Sequence, residues 1–302
     1  MTSMTHQELA LTAARARLLG LEMVYRAASG HLGGSYSALD LLTVLYQNVM
    51  RVDPQDPQAP GRDRFVLSKG HCTPALYPTL ALRGYFPVDE LGQFRSIRGH
   101  LSGHAEMRHV RGVDMSTGSL GQGVSAAVGM ALAGKLDGLG YRVYAMLGDG
   151  EVEEGQVWEA AMAAAKFQLD NLCAIVDVNG LQIDGPTADV MPSEPLDQKW
   201  AAFGWHVIPC HGHDYAAIEA AYAQAAAVRG QPSVILARTV KGKGVSFMEG
   251  SAGWHGKAPN DQQYQQAKAE LEAQVAALAQ PSGQSGATQA APGEQKEGKA
   301  YV

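Results

Sequence analysis

The chain has 302 residues, 46% of them hydrophobic, with 30 acidic and 24 basic side chains and a formal net charge of −6. This excludes a disordered chain, a coiled coil and a sequence-wide affinity for nucleic acid or anionic membrane. No apolar run reaches the roughly 18 residues of a membrane span, and the N-terminus has polar residues where a secretory leader needs an apolar core, so a cytoplasmic protein is expected.

In chain order, residues 7–28 and 38–50 have helical spacing, and Arg64–Ser68 is a short strand followed by Lys69-Gly70-His71. Residues 119–137 read as a buried helix, Tyr141–Leu147 as a strand ending at Gly148, 152–167 as a helix, and Leu172–Val178 as a strand ending at Asn179-Gly180. Strands at Trp205–Pro209 and Ser233–Arg238 flank a helix at 214–228, and 261–279 is helical. The alternation predicts an α/β fold, doubly wound, with a mostly parallel sheet and helices on both faces. Residues 1–9 are expected to be an N-terminal segment, 10–279 the folded domain, and 280–302 a disordered polar tail, since the last stretch is rich in Pro, Gly and Ser without periodicity. The three cysteines, Cys72, Cys173 and Cys210, are too widely spaced for a disulfide framework or a metal pair.

Glycine and histidine carry the chemical signal. There are 35 glycines, near 12% against a usual level of about 7%. Seven of the ten histidines adjoin a glycine, a pattern of loops built around a polar ligand or of surface turns. Gly148-Asp149-Gly150 and Asn179 each follow directly on a predicted strand, with one helix between them. In a right-handed β-α-β unit both ends meet at the carboxyl edge of the sheet, where open α/β sheets bind ligands. A carboxylate and an amide oxygen are hard donors suited to magnesium or calcium, and magnesium commonly completes its shell with phosphate. On these residues alone, two turns explain the glycines equally well. A dinucleotide fingerprint is absent, and Lys241-Gly242-Lys243-Gly244 lacks the spacing of a Walker loop.

Asp149 followed thirty residues later by Asn179 resembles the thiamine diphosphate fingerprint, and the surrounding sequence resembles the transketolase family. The blocks that carry the resemblance are Ser29-Gly30-His31, Leu67–His71, Ser116–Gly123, Glu153–Glu159, Asn179–Gly185 and Thr239–Val245, in order, within residues 8–270. The phrasing is most similar to the N-terminal, diphosphate-binding subunit of split transketolases. The resemblance implies that Asp149, Asn179 and the main-chain oxygen of Leu181 hold a magnesium or calcium ion on thiamine diphosphate. It implies that Gly148 belongs to the cofactor site, that Gly150 lets backbone approach the phosphate, and that His71 and His255 contact it. By the same resemblance His31 and His104 line the donor channel, Gly118 and Leu120 sit by the aminopyrimidine, and Glu154, supported by Glu159, joins a carboxylate network reaching a partner. Histidine suits this chemistry because hydroxyl protons must move near neutral pH.

Leu32 and Ala105 stand where the family commonly has proline, so both loops are expected to be less rigid. Nothing in the sequence reads as a second doubly wound unit. The resemblance therefore implies a partner subunit carrying the pyrimidine-binding and C-terminal domains, an α2β2 assembly, and sugar phosphate substrates. Three alternatives stand beside it: the α subunit of a thiamine-dependent 2-oxoacid dehydrogenase or decarboxylase, against which the four matched histidines argue; an NAD-dependent oxidoreductase; and a non-catalytic binding or regulatory subunit. His211 and His213, in His-Gly-His-Asp, read as a loop and helix cap with Asp214 near the helix start.

Overall fold

The computed structural model describes residues 3–280. The polar tail expected over 280–302 lies outside the described residues apart from Gln280. The elements in chain order are α1 (His6–Ala27), α2 (Gly33–Val44), β1 (Arg64–Leu67), α3 (Thr73–Arg83), α4 (Gln122–Leu136), β2 (Val143–Gly148), α5 (Gly155–Lys166) and β3 (Leu172–Val178). A two-residue hairpin, β4 (Leu181–Gln182) and β5 (Gly185–Pro186), leads into α6 (Thr187–Val190) and α7 (Leu196–Ala202). The chain closes with β6 (His206–His211), α8 (Tyr215–Ala227), β7 (Ser233–Arg238) and α9 (Asp261–Leu278).

Five strands form one sheet in the order β1-β2-β3-β7-β6, every pair parallel. Strand alternation sends successive side chains to opposite faces. Tyr144, Met146, Cys173 and Ile175 pack with α1, α2, α3, α8 and α9, while Val143, Ala145, Leu147, Ala174 and Val176 pack with α4, α5 and α7. The doubly wound expectation therefore holds, with helices on both faces. No helix among the described residues is long and apolar enough to cross a membrane.

Helix α2 begins five residues before its expected start, because Gly33 and Gly34 are buried helical positions instead of loop. Helix α3 was not anticipated: Pro74 and Pro78 both interrupt a helical reading. Pro74 occupies the first turn, where no amide partner is required. It then serves packing, since a Cβ on Gly20 of α1 would lie 2.6 Å from the Pro74 carbonyl oxygen. Only glycine admits that approach of α1 to α3.

A buried polar cluster joins three elements. Arg17 of α1 grips Asp40 of α2 through both guanidinium ends, at 3.0 and 2.7 Å. The Tyr215 hydroxyl donates to the same carboxylate at 2.6 Å, and His213 Nδ1 lies 2.7 Å from it. Burial alone would raise the Asp40 pKa, but the Arg17 charge and the His213 bond outweigh it and hold the carboxyl well below its ordinary range. A folded-state pKa that is depressed means the native state binds fewer protons than the unfolded chain once pH nears the ordinary aspartate value of about 4. The contribution is therefore complete at neutral pH and is lost as pH falls below that value. Arg17→Met should cost about 3 kcal/mol or more at pH 7, as expected when one partner of a buried pair is removed. The gap in Tm between wild type and variant should narrow between pH 5 and about pH 3. Thermal melts of both proteins across that range check it; a gap that does not change with pH counts against the assignment.

Candidate active site

The carboxyl ends of β1, β2 and β3 lie side by side, because the strands are parallel and Gly148 is in register with Asp177. Each ends in a polar loop, so Lys69 and His71, Asp149 and Gly150, and Asn179 arrive at one edge. Two loops from elsewhere complete a cleft of about 230 Å³: the α1–α2 turn brings His31, and the segment after β7 brings Lys241 and His255. His104, Gly118 and Leu120 form the remaining wall, with Leu181 and Gln182 opposite. Eleven of the twelve residues expected at the site thus line one cleft. Glu154 does not. It is exposed at the N-terminal end of α5, beside Gly121, and Glu159 on the same helix is also exposed.

Backbone lacing ties the loops of His71 and His104 to one another. Ala105 N–H donates to the Gly70 carbonyl at 3.2 Å, Thr117 N–H to Ala105 at 3.0 Å, and the Thr117 hydroxyl to Leu67 at 2.6 Å. The loops touch so closely that a Cβ on Gly70 would fall 2.6 Å from the Thr117 carbonyl carbon. His71 follows Gly70 directly and His104 precedes Ala105, so both imidazoles are held by this seam. Ala105 uses the N–H that a proline would lack, and Leu32 is fully buried.

The imidazoles converge. The His31 ring centroid lies 5.0 Å from His71, 5.5 Å from His255 and 6.3 Å from His104, and His71 lies 5.0 Å from His255. Burial, then nearby cations, keeps them neutral at physiological pH: His31 is lowered to about 4 by burial and Arg95, and His255 to about 3 by burial and Lys241. His71 is held well below its ordinary range by burial and His255, and His104 is lowered by burial and Arg95. His100 lies apart, paired with Glu90 at 3.1 Å.

The same cleft also holds charged groups of both signs. Asp149 accepts the amide N–H of Gly150 at 3.0 Å and of Gly180 at 2.5 Å. Burial and the neighbouring Asp177 still raise its pKa to about 6. Asp177 is wholly buried, paired with Lys69 and bonded by the Ser37 and Thr239 hydroxyls. Lys241 is different. It is 3% exposed and makes no ion pair among the described residues. Its ammonium donates to the Leu181 carbonyl at 3.2 Å and lies 3.2 Å from His255 Nδ1. Burial and Lys69 lower its pKa. Asp177 and Asp149 offset this only in part. A buried cation without a direct ion pair is costly, and an anion in the cleft lowers the cost.

Three residues of consequence here had no role assigned from sequence: Lys69, Lys241 and Glu151. Glu151 is buried and pins three loops at once, accepting from the Ser68 hydroxyl, from Gly121 N at 3.0 Å and from Gly148 N at 3.1 Å. Its position two residues after Asp149, inside a short helical turn closing the same loop, was the available signal.

The same segments decide the family. The chain matches the family model described as "Transketolase, thiamine diphosphate binding domain" over residues 8–296. The chain belongs to the transketolase family. A 6-deoxy-6-sulfo-D-fructose transketolase subunit (SqwG) of Clostridium sp. (strain MSTE9) is 50% identical over 256 residues, covering 85% of this chain and 93% of that one. One of the apulose-4-phosphate transketolase subunits of Phocaeicola vulgatus is 45% identical, covering 85% and 92%. The transketolase of Campylobacter jejuni has a solved structure that superposes with a TM-score of 0.84 at 32% identity, over 91% of this chain. The chain spans 46% of that transketolase and 40% of the rat transketolase, to which it is 43% identical. The matched family model is a thiamine diphosphate binding domain, and the residues of the cleft fit that group. Lys241 offers a buried ammonium without a direct ion pair among the described residues, and His31 Nδ1 is buried without a hydrogen-bond partner among the described residues.

A metal is a separate matter. Among the described residues no three His, Cys, Asp or Glu side chains gather as a metal-binding group. The candidate donors are instead three oxygens of different kinds, on Asp149, Asn179 and the Leu181 backbone. Asn179 Oδ1 accepts from Leu181 N at 3.1 Å, which holds two of the three in one turn. The Leu181 carbonyl already receives a cation, the Lys241 ammonium. An all-oxygen set with one buried carboxylate is the chemistry a hard divalent ion requires.

Proposed function

We propose that this chain is the diphosphate-binding subunit of a two-chain transketolase, transferring a two-carbon ketol unit from a ketose to an aldose, with at least one sugar carrying an anionic group. The observation that carries it is the buried Lys241 ammonium, without an ion-pair partner among the described residues, beside three oxygen donors and below four neutral imidazoles. Two relatives that this chain matches along most of their length are named as subunits, and their names specify a sulfonated and a phosphorylated sugar.

In this reading Lys241, His71 and His255 hold the diphosphate, and Asp149, Asn179 and the Leu181 carbonyl hold a magnesium or calcium ion against it. Glycines 148 and 150 leave the strand end bare so that backbone can come close. Bound thiamine diphosphate supplies the electron sink for breaking a ketose carbon–carbon bond. The protein's part is to move protons and exclude water. His31 and His104 are neutral, so each offers one nitrogen that accepts a hydroxyl proton and one that donates. Arg95, whose guanidinium donates to the Ser29 hydroxyl, is close enough to both to lower them, and it favours an anionic sugar at the mouth. Glu154 and Glu159 face outward and are free to meet the partner. The partner supplies the pyrimidine-binding and C-terminal domains, two copies of each chain forming α2β2.

Metal dependence tests the reading. In the reconstituted two-chain complex, chelation with EDTA should weaken thiamine diphosphate binding by about a hundredfold, and excess magnesium or calcium should restore it. Titration calorimetry with and without chelator measures this. Affinity that is indifferent to chelation sinks the metal assignment and leaves the diphosphate site standing on Lys241.

A further inference from the structure

The cap expected at His-Gly-His-Asp is made by Asp214 alone, which accepts from Ala216 N at 3.0 Å and Ala217 N at 3.2 Å. That leaves His213 without an assigned purpose, yet its ring is 19% exposed and bonded at both nitrogens. Nδ1 lies 2.7 Å from Asp40 Oδ2, and Nε2 lies 2.9 Å from the backbone N–H of Val240. An amide can only donate, so Nε2 carries no proton and the ring proton sits on Nδ1, donated to Asp40. The tautomer is thus dictated by both neighbours.

Asp40 cannot turn to follow the ring, because Arg17 holds both of its oxygens and Tyr215 a third lone pair. The ring orientation is therefore inherited from a rigid cluster between α1, α2 and α8. What it passes on is the position of Val240, the residue before Lys241. The rest of this loop is tied by Thr239 N to Val178 O at 3.1 Å, Gly242 N to Gly33 O at 2.9 Å and Gly250 N to Lys241 O at 2.9 Å. With the Thr239 hydroxyl on Asp177, His213 is the side chain that holds the Thr239–Val240 peptide, one residue ahead of Lys241.

We propose that His213 is a positioning residue for the diphosphate site, transmitting the fixed Arg17–Asp40 geometry to the Val240 peptide and so setting where the Lys241 ammonium stands in the cleft. The inference rests on the reading of Lys241 as a diphosphate-binding cation.

Two conservative substitutions separate this from a merely structural role. In His213→Asn, the side-chain amide takes the place of Nδ1 and still donates to Asp40, but nothing reaches Val240. In His213→Gln, the side-chain oxygen takes the place of Nε2 and still accepts from Val240, but the bond to Asp40 is lost. The proposal expects His213→Asn to weaken thiamine diphosphate binding by about tenfold, the usual scale for removing an orienting partner. His213→Gln should keep most of the affinity while lowering Tm more. A role confined to stabilising Asp40 gives the opposite order of affinities. Calorimetry on the reconstituted complex with magnesium, paired with thermal melts, reads both. The same pair is then measured in a Lys241→Met background, where the His213→Asn effect should vanish because its only route is through that ammonium. If Lys241→Met alone leaves affinity unchanged, the diphosphate reading of Lys241 fails and the positioning role with it. If Lys241→Met weakens binding and His213→Asn does not, or if the His213→Asn loss persists in full without Lys241, the positioning role alone is overturned.

Discussion

Asp149→Ala should bind thiamine diphosphate about a hundredfold or more weakly than wild type in the two-chain complex with magnesium. Asp149 is the one formal negative charge among the three proposed metal donors. Without it a divalent ion is held by an amide and a carbonyl, and the diphosphate charge goes uncompensated in a partly dry cleft. The same substitution should have the opposite sign when metal is absent. A carboxylate beside an unscreened diphosphate repels it, so with EDTA present Asp149→Ala should bind as well as wild type or slightly better. Calorimetry in both conditions yields a crossing of the two affinities. Wild-type affinity in the presence of magnesium would remove Asp149 from the metal site, and parallel losses in both conditions would assign it a structural role through its bonds to Gly150 and Gly180.

Residues 1–302 purified alone should show no ketol transfer, even with saturating cofactor and magnesium. The described residues contain one five-stranded parallel sheet and a cleft at its carboxyl edge. Ile183 lines that cleft and is 66% exposed, so the wall is unfinished on that side. Adding the partner subunit should restore activity. His104→Ala and His71→Ala should then lower turnover by about 10²–10⁴-fold, the range for removing a proton-transfer group, while co-purification with the partner is unchanged. Turnover by this chain alone, absent in an Asp149→Ala control prepared in parallel, would overturn the two-chain reading. Loss of co-purification in the histidine variants would move those residues from the cleft to the subunit contact.

The strands were legible because each is a short apolar run cut off by a glycine or a polar residue, and the sheet buries both of its faces. Gly148-Asp149-Gly150 and Asn179 could be placed at one edge from spacing alone, since a parallel β-α-β unit permits no other arrangement. The histidines converge from four separate loops, and no local pattern encodes that; the family resemblance supplied it. Helix α3 was hidden because two prolines mark a break unless one knows that Pro74 falls in the first turn. Lys69 and Lys241 were visible as letters, but their weight comes from burial. Lys69 forms a direct ion pair with Asp177 and Lys241 forms none among the described residues, and that difference exists only in three dimensions. Asp40 and His213 are separated by 173 residues, beyond the reach of any periodicity.

The seam at Gly70 also bears on how such a site changes over generations. A methyl group there would strike the Thr117 backbone, and the shift needed to relieve it would drag the His71 and His104 loops together. Neither histidine can be re-aimed alone by drift in its own loop. A lineage that adopts a new sugar is therefore pushed toward altering what lies off the seam, such as the exposed turn around Ile97 and Arg98 or the surface of the partner. His71 and His104 would stay heritable as one unit, and diversification would fall to residues off the seam.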